Sequence, residues 1–254
     1  MHNSKYFFGV IKTILLLLIS ATVYSQTKKG TIVSNGVQKQ GKTYALIIGV
    51  ADYHQLPKLD YAPADALAFQ DYLLKDQKLP KENVFCFTNE TATYINIFDK
   101  LYLINDSLQP GDCFIFYFSG HGDWESKISD NSLLLLSKAP AKNYLRYPDQ
   151  YLDCQKINEF IKRISERDIK AVLIADACHS GNLSGGTAGA ETTNLQLKKG
   201  WKNEIRILSC MPDEVSFEDK RWGGGRGVFS YYLTEGLKGM TRKEAGEGFD
   251  LTMG

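Results

Sequence analysis

The chain has no excess of either charge. Thirty Lys and Arg face 29 Asp and Glu, a formal net charge of +1 over 254 residues. That balance supplies no field for nucleic acid or for an anionic membrane surface, and no basic cluster is interleaved with aromatics. No internal repeat is present. Metal-ligand spacings are missing as well: there is no C-x-x-C and no H-E-x-x-H, so a zinc site has no support. The absence of G-x-S-x-G argues against a serine hydrolase built on a doubly wound sheet. Cysteine is sparse, with five residues at 86, 113, 154, 178 and 210.

A comfortable membrane span is also missing. The apolar run ILLLLIS (14–20) is too short for one. It follows Lys5 and Lys12 and precedes ATVYSQ, the layout of a secretory signal peptide over 1–25, cut near Ser25 and Gln26. The expectation is an exported chain, periplasmic or secreted; an uncleaved N-terminal anchor is the alternative. No Cys stands at the cut, so a lipid anchor has no attachment residue. Residues 26–40 are polar and aperiodic and read as a linker. An exported protein with five cysteines can pair four and leave one free. Cys86, Cys113 and Cys210 lie within or beside apolar runs, where Cys also serves as a small hydrophobe.

Beyond the linker, apolar runs alternate with amphipathic stretches. TYALIIGV (43–50), NVFCFT (83–88), DCFIFYFS (112–119), AVLIAD (171–176) and EIRILS (204–209) read as strands. SLLLLS (132–137) reads as an excursion hairpin. Ala62, Ala66, Phe69 and Leu73 share one helical face in a helix over 62–74. A second helix, over 92–108, carries Ile97, Leu101, Ile104 and Leu108. A third carries Ile157, Phe160, Ile161 and Ile164, with Asp153 as its cap. Phe229, Leu233 and Leu237 mark the last. Such alternation predicts an α/β fold with a mostly parallel central sheet and helices on both faces. The domain spans 41–254 and stops at GMTRKEAGEGFDLTMG without a closing helix, which reads as a fragment or as lacking a final element.

Sites in such sheets form beyond the carboxyl ends of the strands. Two of those ends carry reactive side chains: FIFYFSGHGDWE delivers His121, and AVLIADACHSG delivers Cys178. A cysteine nucleophile needs a base beside it. The adjacent His179 is a poor one, because neighbours on a strand point to opposite faces. His121, flanked by Gly120 and Gly122, is the better partner. Asp123 and Trp124 read as loop residues without chemistry.

SGHG after one strand and DACHSG after another, with IIGVADY and DYAPADA before them and ILSCMPDEVSFE and GVFSYYLTEGL after, resemble the caspase-like cysteine peptidases. Within them the pattern is closer to the metacaspase-type bacterial branch than to animal caspases. The resemblance covers roughly 43–240 and implies a caspase-like three-layer sandwich. It also implies an endopeptidase with a Cys178–His121 dyad, and an oxyanion hole from the backbone N–H groups of Cys178 and Gly122. Asp65 and Asp176 would line a pocket for Arg or Lys before the cut, with Ser119 as a polar wall. Each acid has a plainer alternative: Asp65 as a helix N-terminal acid, Asp176 as a hydrogen-bonding acid at a strand end.

Lys198 or Lys199, after the small-residue loop, would then be a self-processing site. The expected partners are protein or peptide substrates with Arg or Lys before the cut, with no nucleic acid and no membrane beyond the leader. No cofactor or metal is expected. Several metacaspases use acidic loops for Ca²⁺, but the loop after Cys178 holds only Glu191, which weighs against calcium activation. The alternative function is a catalytically silent caspase-like binding or scaffold module.

Overall fold

The computed structural model describes residues 41–177, 203–209 and 218–244, together with Leu197. The expected leader, the linker, Cys178, His179, Glu191, Lys198, Lys199 and Cys210 lie outside the described residues. In chain order the strands are β1 (Thr43–Gly49), β2 (Val84–Thr88), β3 (Cys113–Ser119), β4 (Gly122–Glu125), β5 (Asn131–Leu135), β6 (Tyr151–Asp153), β7 (Lys170–Asp176), β8 (Glu204–Leu208), β9 (Glu218–Asp219) and β10 (Arg226–Gly227). The α-helices are α1 (Ala62–Asp71), α2 (Tyr94–Ser107), α3 (Cys154–Ser165) and α4 (Val228–Glu244).

A parallel five-stranded sheet in the order β2-β1-β3-β7-β8 is the centre of the fold. Its inner strands are apolar on both faces, as strands covered by helices on each side must be. Tyr44, Leu46, Ile48, Phe114, Phe116, Phe118 and Leu173 share a core with Ile97, Leu101 and Ile104 of α2 and Ile157, Ile161 and Ile164 of α3. On the opposite face, Tyr117 stacks on Phe69 of α1 with ring centroids 4.8 Å apart. The Tyr117 hydroxyl bonds that of Ser230 of α4 at 2.7 Å. Three layers result, as the period-2 and period-3.6 patterns predict.

Close approach sets the position of α1. A Cβ on Gly49, the last residue of β1, would lie 2.6 Å from the Ala62 carbonyl oxygen and 2.7 Å from the Ala66 Cβ. Only glycine lets the helix sit this near the strand end. Pro63 in the first turn has the fixed φ that helix starts accept. The expected helix over 62–74 is α-helical only to Asp71 and continues as a π-turn over Tyr72–Asp76. Asp153 caps α3, accepting from the Gln155 N–H at 2.8 Å.

The SLLLLS run becomes β5, central in an antiparallel sheet β4-β5-β6. Here the expectation of a loop at Asp123 and Trp124 is corrected. Both lie in β4, opposite Leu133 and Ser132. Asp123 is buried and accepts a hydrogen bond from the Tyr144 hydroxyl. An acid in a four-residue strand has no apolar alternation to reveal it. Cys86, Cys113 and Cys154 are free thiols, so two disulfides among the four other cysteines do not form. No helix among the described residues is long and apolar enough to cross a membrane.

Candidate active site

The strand register assembles the site. Ser119, at the end of β3, stands opposite Gly49 of β1 and opposite Asp176 of β7. His121 follows two residues past Ser119, and the Gly120 N–H donates to the Asp176 carbonyl at 3.1 Å. The end of β3 and the segment leading out of β7 therefore leave the sheet side by side. Ala177, buried, is the last described residue of that segment. Cys178 lies outside the described residues.

His121 is fixed from three directions. Its Nε2 lies 2.8 Å from the Pro57 carbonyl oxygen. A carbonyl only accepts, so Nε2 carries the hydrogen and the neutral ring keeps its lone pair on Nδ1. Its backbone N–H donates to the Tyr53 hydroxyl at 2.8 Å, and its carbonyl accepts from the Leu135 N–H at 2.9 Å. The Tyr53 hydroxyl in turn donates to the Leu135 carbonyl at 3.1 Å, and the Tyr53 ring packs on the imidazole with centroids 4.6 Å apart. A Cβ on Gly120 would meet the Tyr53 hydroxyl at 2.8 Å, so the glycine before the histidine makes room for its support. Tyr53→Phe strands the buried His121 N–H. We expect it to lower stability by about 1–3 kcal/mol, read as a reduced urea midpoint with an unchanged slope.

Asp65 and Asp176 meet, although they come from different elements. Asp65 projects from the first turn of α1, Asp176 ends β7, and both are fully buried. A Cβ placed on Gly227 would lie 2.8 Å from Asp65 Oδ2 and 3.1 Å from Asp176 Oδ2. The two carboxylates thus flank one point, which a glycine leaves empty. The Gly227 N–H donates to Asp65 Oδ2 at 3.0 Å, and the Ser230 hydroxyl donates to Asp176 Oδ2 at 3.0 Å.

The third member is Arg226, whose Nε–H donates to Asp65 Oδ1 in a buried ion pair. Its terminal nitrogen reaches the Ser230 carbonyl and the Thr234 hydroxyl, each at 3.4 Å. Three consecutive glycines with positive φ (+54, +84 and +128 at 223, 224 and 225) turn the chain from β9 into β10 and deliver Arg226. A second tie holds that hairpin to the segment entering α1: the Glu218 carboxylate accepts from the N–H groups of Asp60 and Tyr61 at 2.8 and 3.2 Å.

Burial raises the Asp65 carboxyl to about 7, and nearby Asp176 adds to the rise against the opposing pull of Arg226. An acid whose folded-state pKa lies above its ordinary 3.8 holds its proton more tightly when folded. Its contribution to stability is greatest in acid, falls as pH rises from about 4 to about 7, and is level above. Asp65→Asn should remove that fall, seen as a flatter denaturant midpoint over the same window.

Ser119 is buried between the ends of β1 and β7, and its hydroxyl has no partner among the described residues. Gly122 opens β4 opposite Leu134. Four contributors were not singled out in the sequence: Tyr53 and Ser230, which lie inside the quoted IIGVADY and GVFSYYLTEGL, and the Pro57 carbonyl and Arg226, which lie outside the motifs. Only GGGRG, a run that demands left-handed backbone, carried a local signal for one of them. Cys86 and Cys113 are poor nucleophiles, since burial raises both to about 11. Calcium needs several oxygen ligands. Among the described residues no group of three or more His, Cys, Asp or Glu could hold a metal ion.

Known proteins resemble this chain in sequence and fold. A family model described as Caspase domain matches residues 42–250. Metacaspase-2 of Arabidopsis thaliana is 28% identical over 149 residues, 56% of this chain and 35% of the relative. Metacaspase-1 of Schizosaccharomyces pombe is 22% identical over 148 residues, with the same shares of 56% and 35%. The chain thus spans about a third of the length of these curated relatives. The crystal structure of protein GSU0716 from Geobacter sulfurreducens superposes with a TM-score of 0.55 at 18% identity, covering 78% of this chain and 82% of that one. With the family matched over nearly all of the described domain, the chain belongs to the caspase domain family of cysteine peptidases.

Proposed function

We propose that this chain is an exported cysteine endopeptidase that cuts after Arg or Lys, with Cys178 as nucleophile and His121 as its base. The observation that carries this is the register of β3 against β7. It pairs Ser119, two residues before His121, with Asp176, two residues before Cys178. His121 takes the thiol proton at Nδ1, and the thiolate adds to the scissile carbonyl. The backbone N–H groups of Gly122 and Cys178 would receive the oxyanion. His121 then passes its proton to the leaving amine, giving a thioester. Water adds with His121 again as base, and the acid product leaves with the thiol restored.

Support for a basic preference is the pair of buried carboxylates, which favours a cation in a desolvated site. Self-cleavage after Lys198 or Lys199 follows from the same preference. Hydrolysis of matched fluorogenic peptides ending in Arg, Lys or Asp, by wild type and Cys178→Ala, tests the reading. Turnover of the basic peptides, unaffected by a calcium chelator and lost in Cys178→Ala, is expected. Turnover of the Asp peptide instead would remove the acidic pocket and keep the nucleophile. No turnover of any peptide would favour the scaffold module.

A further inference from the structure

The acids read as a receptor for a substrate's basic side chain already hold one of the chain's own. We propose that Arg226 is an internal ligand of this site: its guanidinium takes the place at Asp65 that a substrate arginine would take, and so sets how strongly the site binds basic side chains. This rests on the reading of the acids as a specificity pocket.

Three observations support it. First, the contact is built rather than incidental. Asp65 is 1% exposed and Arg226 8%, and the pair joins residues 161 positions apart. Burying two charges together is costly unless each finds partners. Both do: Asp65 gains the Gly227 N–H, and Arg226 the Ser230 carbonyl and Thr234 hydroxyl.

Second, the charges do not cancel. Two carboxylates, Asp65 and Asp176, flank the point above Gly227, and Arg226 is ion-paired with Asp65. Counted over these three side chains alone, one negative charge is left when both acids are ionised. A site with two acids and one internal cation attracts a second cation less than two acids alone would.

Third, the bond to Asp65 runs through Nε, not through the two-pronged end of the guanidinium. Bidentate arginine–carboxylate pairing is the stronger geometry. An entering guanidinium that presented both prongs to Asp65 would exchange a single-bond contact for a double one. Arg226 is therefore a competitor that a better ligand can replace; it follows directly on the three-glycine turn out of β9.

The test separates the site from catalysis by working in Cys178→Ala, with and without Arg226→Ala, at about pH 8 so that Asp65 is ionised. Ethylguanidinium chloride, which matches the deleted atoms, is titrated at millimolar concentrations while the melting temperature is followed. It should raise the melting temperature of the Arg226→Ala chain in a saturable way and leave the Arg226 chain unmoved. An acetylated peptide amide ending in Arg should stabilise the Arg226→Ala chain at least tenfold more tightly than the Arg226 chain. The same peptide ending in norleucine should bind both alike.

No response to ethylguanidinium overturns the proposal. So does a response to ethylguanidinium without one to the Arg peptide, because Arg226 would then be only a brace. If Arg226→Ala fails to fold, Arg226→Gln carries the peptide titration alone, and equal affinity of the Arg peptide for it and for the Arg226 chain overturns the proposal. Both arms are read without the nucleophile. Lack of turnover in the intact chain would therefore discard the peptidase reading and leave this result standing.

Discussion

Asp65→Leu is expected to cost about 3–5 kcal/mol at about pH 8, the largest stability loss at any site residue. The reason is asymmetric. Arg226 cannot shed its proton in a protein, so the substitution strands a permanent charge among Tyr117, Ser230 and Thr234. The reciprocal change, Arg226→Met, strands an acid that can take up a proton. Its cost should be smaller and should shrink further toward pH 5, about two units below the Asp65 value of about 7. Joining both substitutions replaces an ion pair by apolar groups of similar volume, so the double variant should be more stable than Asp65→Leu alone. Urea unfolding of the three variants at the two pH values reads the whole cycle. A double variant no better than Asp65→Leu would show that the pair does not act as a unit.

His121→Ala should lower kcat/KM for basic peptides by about 10²–10⁴-fold, the usual worth of a positioned acid–base group. Joined to Cys178→Ala, it should cost little more than Cys178→Ala alone, because the two act in one step. The imidazole is buried against Tyr53, itself a core residue, so the fold is checked alongside the kinetics. Single-variant kinetics with circular dichroism as a control decide it. A His121→Ala enzyme with near wild-type turnover would remove the dyad.

The elements were legible because each carries its own period. The strands of the large sheet are apolar on both faces, and α2 and α3 place Ile97, Leu101, Ile104, Ile157, Ile161 and Ile164 at helical spacing. Asp65 and Asp176 stood out because motifs hold them near a helix start and a strand end. What surrounds them did not. Arg226 reaches Asp65 across 161 positions, and no local pattern encodes so distant an ion pair. The Pro57 support is a backbone carbonyl, a group every residue has. Tyr53 reads as one more aromatic until the fold lays it against His121. β4 was hidden for a different reason: its buried acids, Asp123 and Glu125, run against the apolar alternation that marks strands.

Gly49 bears on any attempt to transplant this site. A graft that copied Asp65, His121 and Asp176 onto another parallel sheet, but kept an ordinary residue at the end of the first strand, would meet the Ala62 carbonyl oxygen and the Pro63 Cα at 2.6 and 3.0 Å. Those are backbone atoms, so no rotamer change relieves the contact. The whole helix would have to move out, taking the first acid with it. The minimal portable unit is therefore the acid, its helix and the hydrogen-only position beneath, inherited together.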